Sequence, residues 1–281
     1  MELLAEYGLL ASKPAVTPIE TNFVVSDIVR KKRKNRKNRA VEKEDLPLTD
    51  LTGYQRLLGK LIYLTLTRPD ISYSVSSLSQ FMHKPLQSHI KLALRVLRYL
   101  KGSPGKGITF NKNDDLGLKA YVDADWAKCP STRRSVTGYM LFFGNSLIAW
   151  KSKKQKTLAT SSAEAEYRAM ASVTCEVVWV LKILNELGIK NSLPAKIFCD
   201  NKAAIKIAAN PVFHERTKHL EIDLHLVREK IANGVIESIW VNSQHQLADI
   251  LTKGLPTAQH DFLCEQINLC DVYQDKTEGG C

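Results

Sequence analysis

The chain has 281 residues, 44% of them hydrophobic and 25% charged, enough to bury a substantial core and to form two modest domains. Its formal charge of +11 is uneven, because Arg30 to Arg39 (RKKRKNRKNR) carries eight positive charges and no acid, leaving +3 for the rest. No secretory signal and no apolar run of bilayer length is present, and six cysteines without a CxxC pair read as reduced intracellular thiols, which excludes a disulfide framework and argues against zinc.

Residues 1–49 join a short amphipathic start, Pro14, Pro18, the basic tract and an acidic EKED segment, a composition that predicts a flexible, poorly packed leader. The tract Arg30 to Arg39 has two compatible readings: a solvated segment, or an arm that contacts nucleic acid or directs nuclear entry. Residues 50–110 then show helical spacing three times, in GYQRLLGKLIYLTLT, from Pro69 to Phe81, and in LQSHIKLALRVLRYLKG up to Gly102. They predict a compact three-helix segment. Lys91, Arg95, Arg98 and Lys101 on the third helix read either as a solvated face or as a nucleic-acid path.

Residues 115–256 change period. GLKAYVDAD, SVTGYMLFFG and NSLIAWKS alternate as three antiparallel strands, and a long helix follows from Ala163 to Leu187, opened by Ser161 and Glu164 at capping-box spacing. AKIFC is a buried strand, Asn201 to Ala209 and His219 to Ala232 are helices, and Val235 to Val241 is a last strand before a short helix around Leu247 to Leu251. The predicted fold class is α/β in the sense of an α+β mixed sheet, five-stranded and flanked by helices, preceded by the small helical segment. Residues 257–281 lack strong periodicity and read as a tail.

Four acids fall where strands end or helices begin: Asp123 in AYVDADWA, Glu166 in SSAEAEYRAM, Asp200 in IFCDNKAA and Asp249 in HQLADILT. Each has an ordinary explanation when taken alone, as a turn carboxylate or an acid at a helix start. Together they can converge at one edge of a sheet, where repulsion among them calls for bound divalent cations, the raw material of a two-metal phosphodiester-cleaving site. Asp125 shares the Asp123 face, and Glu164 fits a helix-dipole role. His245 is expected one turn before Asp249 on the same helix. Cys199 reads as a small buried residue.

YVDADWA, RRSVTGYMLFFG, AWKSKKQKTLATSSAEAEYRAM, DNKAAI, HERTKHLEIDLHLVREKI and LADILTKGL resemble the ribonuclease H domain of Copia-type LTR retrotransposon Pol polyproteins. YQRLLGKLIYLTLTRPDISYSVSSLSQFMHKP and ALRVLRYLKGSPGKGI resemble the segment that follows the reverse-transcriptase palm, so residues 50–256 are covered. The resemblance implies a ribonuclease H-like fold and endonucleolytic cleavage of RNA in RNA–DNA hybrids. It implies that Asp123, Glu166, Asp200 and Asp249 hold two Mg²⁺ ions, for which Mn²⁺ can substitute.

Arg133, Arg134, Lys151, Lys153, Lys154 and Lys156 are candidates for hybrid phosphate contacts, with plain solvation as the other reading. The family's mobile histidine has only His245 as a counterpart, and His219 and His225 read as helix-surface or packing residues. No Tyr-x-Asp-Asp motif is present, and Asp114–Asp115 lies in a turn-like setting, so polymerase activity is not expected. The expectation is a piece of a Pol polyprotein, either a processed product or the reading frame of a truncated element, located in cytoplasmic particles or the nucleus. The alternative to an active nuclease is an inactive nucleic-acid-binding remnant; a basic adaptor acting through Arg30 to Arg39 explains the charge but not the acids.

Overall fold

The computed structural model describes residues 2–21, 23, 45–110, 112, 116–189, 193–209 and 221–273. Arg30 to Arg39, the Asp114–Asp115 pair, His219 and Cys281 lie outside them. A short helix α1 (Glu2–Glu6) precedes three further helices, α2 (Leu51–Leu64), α3 (Ser72–Ser79) and α4 (Gln87–Gly102). Asp50 accepts the Gly53 N–H and starts α2, while Pro69 opens a 3₁₀ turn, Pro69–Ile71, that runs into α3. Leu57, Leu58 and Leu61 of α2, Leu78 of α3 and Val96 and Leu97 of α4 are fully buried against one another.

The leader is packed rather than loose over its described part. Leu4 and Ile19 join the helical core, and cations of α4 hold the backbone that passes over it. Arg95 Nε donates to the Thr17 carbonyl at 3.2 Å and its Nη1 to Glu20 Oε1 at 3.0 Å, while Lys101 Nζ donates to the Ser12 carbonyl at 2.7 Å. These two side chains therefore satisfy protein carbonyls instead of lining a nucleic-acid path. Composition favoured disorder here because, beyond the five residues of α1, the few apolar residues pack on the helical core without forming a helix of their own.

After β1 (Lys106–Ile108) come β2 (Leu118–Asp125), β3 (Val136–Phe143) and β4 (Ser146–Lys154), an antiparallel meander. The long helix α5 (Ser162–Glu186) follows, then β5 (Ala195–Cys199), α6 (Lys202–Ala209), α7 (Glu221–Ala232) and β6 (Ile236–Trp240). The sheet order is β4-β3-β2-β5-β6, with β5 parallel to β2 and β6 parallel to β5. This is the expected five-stranded mixed sheet with helices on its faces. Its two faces differ: α5 and α7 cover Ala120, Val122, Tyr139 and Ile197 on one side, and Met140 and Phe142 pack against the C-terminal elements on the other.

Those C-terminal elements include residues where periodicity was weak. Residues 257–273 form helix α8 (Thr257–Gln266) and strand β7 (Leu269–Asp271), which pairs antiparallel with β1. Leu263, Cys264, Ile267 and Leu269 are buried in the third core. In α8 the apolar residues Phe262, Leu263 and Cys264 are adjacent instead of three or four apart, and β7 has only three residues, so neither shows a period. Among the described residues, no helix is long and apolar enough to cross a membrane.

Candidate active site

The parallel pairing Val122↔Cys199 brings the C-terminal ends of β2 and β5 side by side, so the next residues on each strand, Asp123 and Asp200, sit together at that end of the sheet. Opposite Asp123 in β3 stands Gly138, where a Cβ would meet Thr252 Cγ2 at 2.6 Å and the Ala248 carbonyl at 3.0 Å. The missing side chain lets the 3₁₀ segment Leu247–Leu251 lie on the sheet and deliver Asp249. The same segment is pinned by the fully buried Gln246, whose Nε2 donates to the Val122 carbonyl at 2.9 Å and the Phe198 carbonyl at 3.4 Å.

Glu166 arrives from the other face, in the second turn of α5, which begins when Ser161 Oγ accepts the Glu164 N–H at 3.1 Å. Its carboxylate oxygen and that of Asp200 lie within 4.8 Å of each other and of the Cys199 thiol. The structure thus brings Asp123, Glu166, Asp200 and Asp249 to one place. Glu164 does not join them: it is buried, and accepts from the Thr160 N–H and from Arg168. Asp125, two residues on from Asp123 in β2, pairs with Lys128 at 2.7 Å.

Asp123 (3% exposed), Glu166 (5%) and Asp249 (7%) are taken almost wholly out of water. Burial, with the charges of Asp123 and Asp200, pushes the Glu166 carboxyl up to about 9; burial and Asp123 push Asp249 up to about 7. Asp123 is raised as well, by burial, against the pull of Lys253 and Thr252. Asp200 is less buried and is oriented by Ser243, whose Oγ donates to its Oδ2 at 2.6 Å.

Lys253 was not anticipated. Its Nζ lies 2.8 Å from Asp249 Oδ1 and 3.5 Å from Asp123 Oδ2, and Thr252 Oγ1 donates to that same Asp123 oxygen. The spacing of Asp249 and Lys253 by four residues was the available signal. Ionised together, the four carboxylates would exceed the one ammonium by three charges, a repulsion that the raised carboxyls of Glu166 and Asp249 record. A set of hard oxygen donors with that surplus charge fits Mg²⁺ or Mn²⁺. Cys199 lies beside Glu166 and Asp200, but its soft sulfur is a poor donor for a hard cation such as Mg²⁺ or Mn²⁺.

His245 departs from expectation. It sits on a separate 3₁₀ turn, Ser243–His245, is exposed, and places its ring 6.1 Å from that of Phe262. Gln246 has extended backbone and interrupts the helix that the sequence suggested. His225 is exposed on α7 beside Glu229 at 3.9 Å.

The six basic candidates divide between faces. Arg133 and Arg134 are exposed on the loop between β2 and β3; Lys151 and Lys153 stand on the α5 side of β4, Lys151 Nζ lying 5.6 Å from the Tyr139 ring centre. Lys154 points to the other side, 3.9 Å from Cys129 Sγ, and Lys156 is exposed beyond the strand. In register, Asp123 aligns with Gly138 and Gly138 with Ser152, so Lys151 and Lys153 flank the row of Asp123 two strands away, roughly 10 Å. Two half-exposed indoles flank the cluster: Trp126 Nε1 donates to the Ala159 carbonyl and Trp240 Nε1 to the Asp200 carbonyl.

No protein-family model matches the chain. Among curated proteins, the retrovirus-related Pol polyprotein from transposon RE1 of Arabidopsis thaliana is 42% identical over 272 residues, 97% of this chain and 18% of that one. The chain belongs to the Copia-type retrotransposon Pol family. The Pol polyprotein from transposon TNT 1-94 of Nicotiana tabacum is 32% identical over 266 residues, covering 94% of this chain and 19% of that one. The chain thus spans less than a fifth of the length of these Pol relatives. Likeness to RE1 runs beyond residues 50–256, where the motifs lay, to nearly the whole chain. Among solved structures, an N-terminal RNase H domain from Mycobacterium tuberculosis superposes with a TM-score of 0.37 at 13% identity, covering 54% of this chain and 98% of that one.

Proposed function

We propose that this Pol segment is a metal-dependent ribonuclease that cuts the RNA strand of RNA–DNA hybrids endonucleolytically. One observation carries the reading: four carboxylates from β2, α5, the end of β5 and the segment after Gln246 meet at one end of the sheet in a chain of the Copia-type Pol family. Asp123, Glu166, Asp200 and Asp249 would hold two divalent cations, which when bound supply Lewis acidity toward a scissile phosphate and lower the pKa of an attacking water.

The protein's own part is positioning. Thr252 and Ser243 fix the carboxylate planes of Asp123 and Asp200, and Gln246 fixes the segment bearing Asp249. Lys151, Lys153 and Lys156, with Arg133 and Arg134, supply charge for the backbone phosphates, and Lys154 stands on the opposite side of β4. Phosphate contacts of this kind fix register without reading sequence.

The reading is tested with a labelled RNA–DNA hybrid in Mg²⁺ and in Mn²⁺, with EDTA and Asp200→Asn as controls. We expect cation-dependent cutting of the RNA strand, reduced at least 100-fold by Asp200→Asn or Asp123→Asn with hybrid binding retained, in line with the loss of a charge-stabilising group. Folded protein that binds hybrid yet cuts nothing would identify an inactive remnant.

A further inference from the structure

The carboxylate cluster is electrostatically lopsided. On one side Lys253 Nζ stands between Asp249 Oδ1, at 2.8 Å, and Asp123 Oδ2, at 3.5 Å. On the other, no ammonium or guanidinium among the described residues pairs with Glu166 or Asp200: Ser243 Oγ donates to Asp200 Oδ2 at 2.6 Å, and Cys199 Sγ lies 3.9 Å from Glu166 Oε2. We infer that Lys253 is a resident counter-ion for the Asp123–Asp249 pair, which a divalent cation must displace, while no ammonium stands on the Glu166–Asp200 side. This rests on the metal-dependent reading above and specifies how the site is loaded.

Three features support exchange over a fixed structural bridge. The Lys253 side chain is 32% exposed, so its ammonium can withdraw into solvent without opening the core. A four-carbon stem with a compact charge moves more easily than a planar guanidinium held by paired hydrogen bonds. Thr252, next in the chain, donates to the same Asp123 oxygen, so the carboxylate keeps a partner and its orientation when the lysine leaves. Hybrid phosphates entering beside the cluster would offer the displaced ammonium a new partner.

The test uses the full chain and Mn²⁺ alone as probe, read by titration calorimetry and by thermal unfolding, without reference to cleavage. Lys253→Met is expected to unfold at a lower temperature than wild type when metal-free and to bind Mn²⁺ about tenfold more tightly, the order of effect for releasing one partly screened ion pair. Saturating Mn²⁺ should close the stability gap. Lys253→Arg, which keeps the charge, should stay within about threefold of the wild-type affinity. Should the Met variant not fold, Lys253→Gln carries the same comparison.

An isotherm for the neutral variant equal to or weaker than wild type, with wild-type binding intact, overturns the role of the lysine and leaves the metal site standing. So does an Arg variant that behaves like the Met variant. Absence of Mn²⁺ binding in wild type and neutral variant alike instead sinks the metal-dependent reading and this inference with it.

Discussion

Arg68, Asp70 and Tyr99 show how a charge is kept inside this protein. Arg68 Nη2 and Tyr99 Oη donate to Asp70 Oδ2 at 2.7 and 2.6 Å, Arg68 Nη1 reaches the Ser103 carbonyl at 3.0 Å, and the Tyr99 ring meets that of His260 edge-on at 5.4 Å. Burial raises the Asp70 carboxyl, but the Arg68 guanidinium and the Tyr99 hydroxyl outweigh it and hold it below the ordinary aspartate range. A carboxyl depressed in the folded state contributes stability that is complete above its unfolded pKa and lost as pH falls through the folded value. The stability gap between wild type and Asp70→Asn should therefore be constant from about pH 5 to 8 and shrink below about pH 4, measured by urea unfolding. Removing one partner of a buried pair costs about 3–5 kcal/mol, so Arg68→Met should lower stability by that amount at neutral pH.

Elements place the acids through contacts that tolerate little change. The segment carrying Asp249, Thr252 and Lys253 lies on β3 because Gly138 has no side chain. Gly138→Ala should lift that segment, costing about 1–3 kcal/mol of stability as overpacking does, and should lower cleavage more than hybrid binding because Asp249 moves relative to Asp123. Unfolding curves and single-turnover cleavage at saturating hybrid measure the two effects separately. Gln246 plays the matching part at the sheet end. Its truncation to Ala leaves the Val122 and Phe198 carbonyls without that donor, at a cost of about 1–3 kcal/mol in urea unfolding.

Across the whole molecule, the helical unit and the sheet share surfaces. Val136 of β3 is buried in the helical core, Trp150 Nε1 of β4 donates to the Thr65 carbonyl after α2 at 3.0 Å, and β7 returns to pair with β1. Residues 257–273 close this seam through Leu263, Ile267 and Leu269 and through His260 against Tyr99. A chain ending at Pro256 loses those side chains, each worth about 1.5–3 kcal/mol when fully buried. It should unfold at a clearly lower urea concentration than the full chain. An unchanged midpoint would mean that the C-terminal elements are not integral to the fold.

The sequence by itself determined the strands and long helices, because β2 to β6, α4 and α5 have runs long enough for a period of 2 or 3.6 to show, and it determined which acids end them. It also carried the family, through ordered motifs that local pattern alone does not explain. Tertiary structure decided what those acids face. The parallel pairing of β2 with β5 sets Asp123 beside Asp200, Gly138 admits Asp249, and Lys253 stands between two carboxylates that are more than a hundred residues apart. It likewise decided that residues 2–21 and 257–273 pack, that Arg95 and Lys101 hold backbone carbonyls, and that His245 turns outward. The physical reason is one of range: propensity and periodicity are summed over neighbours in sequence, whereas burial and charge pairing depend on neighbours in space.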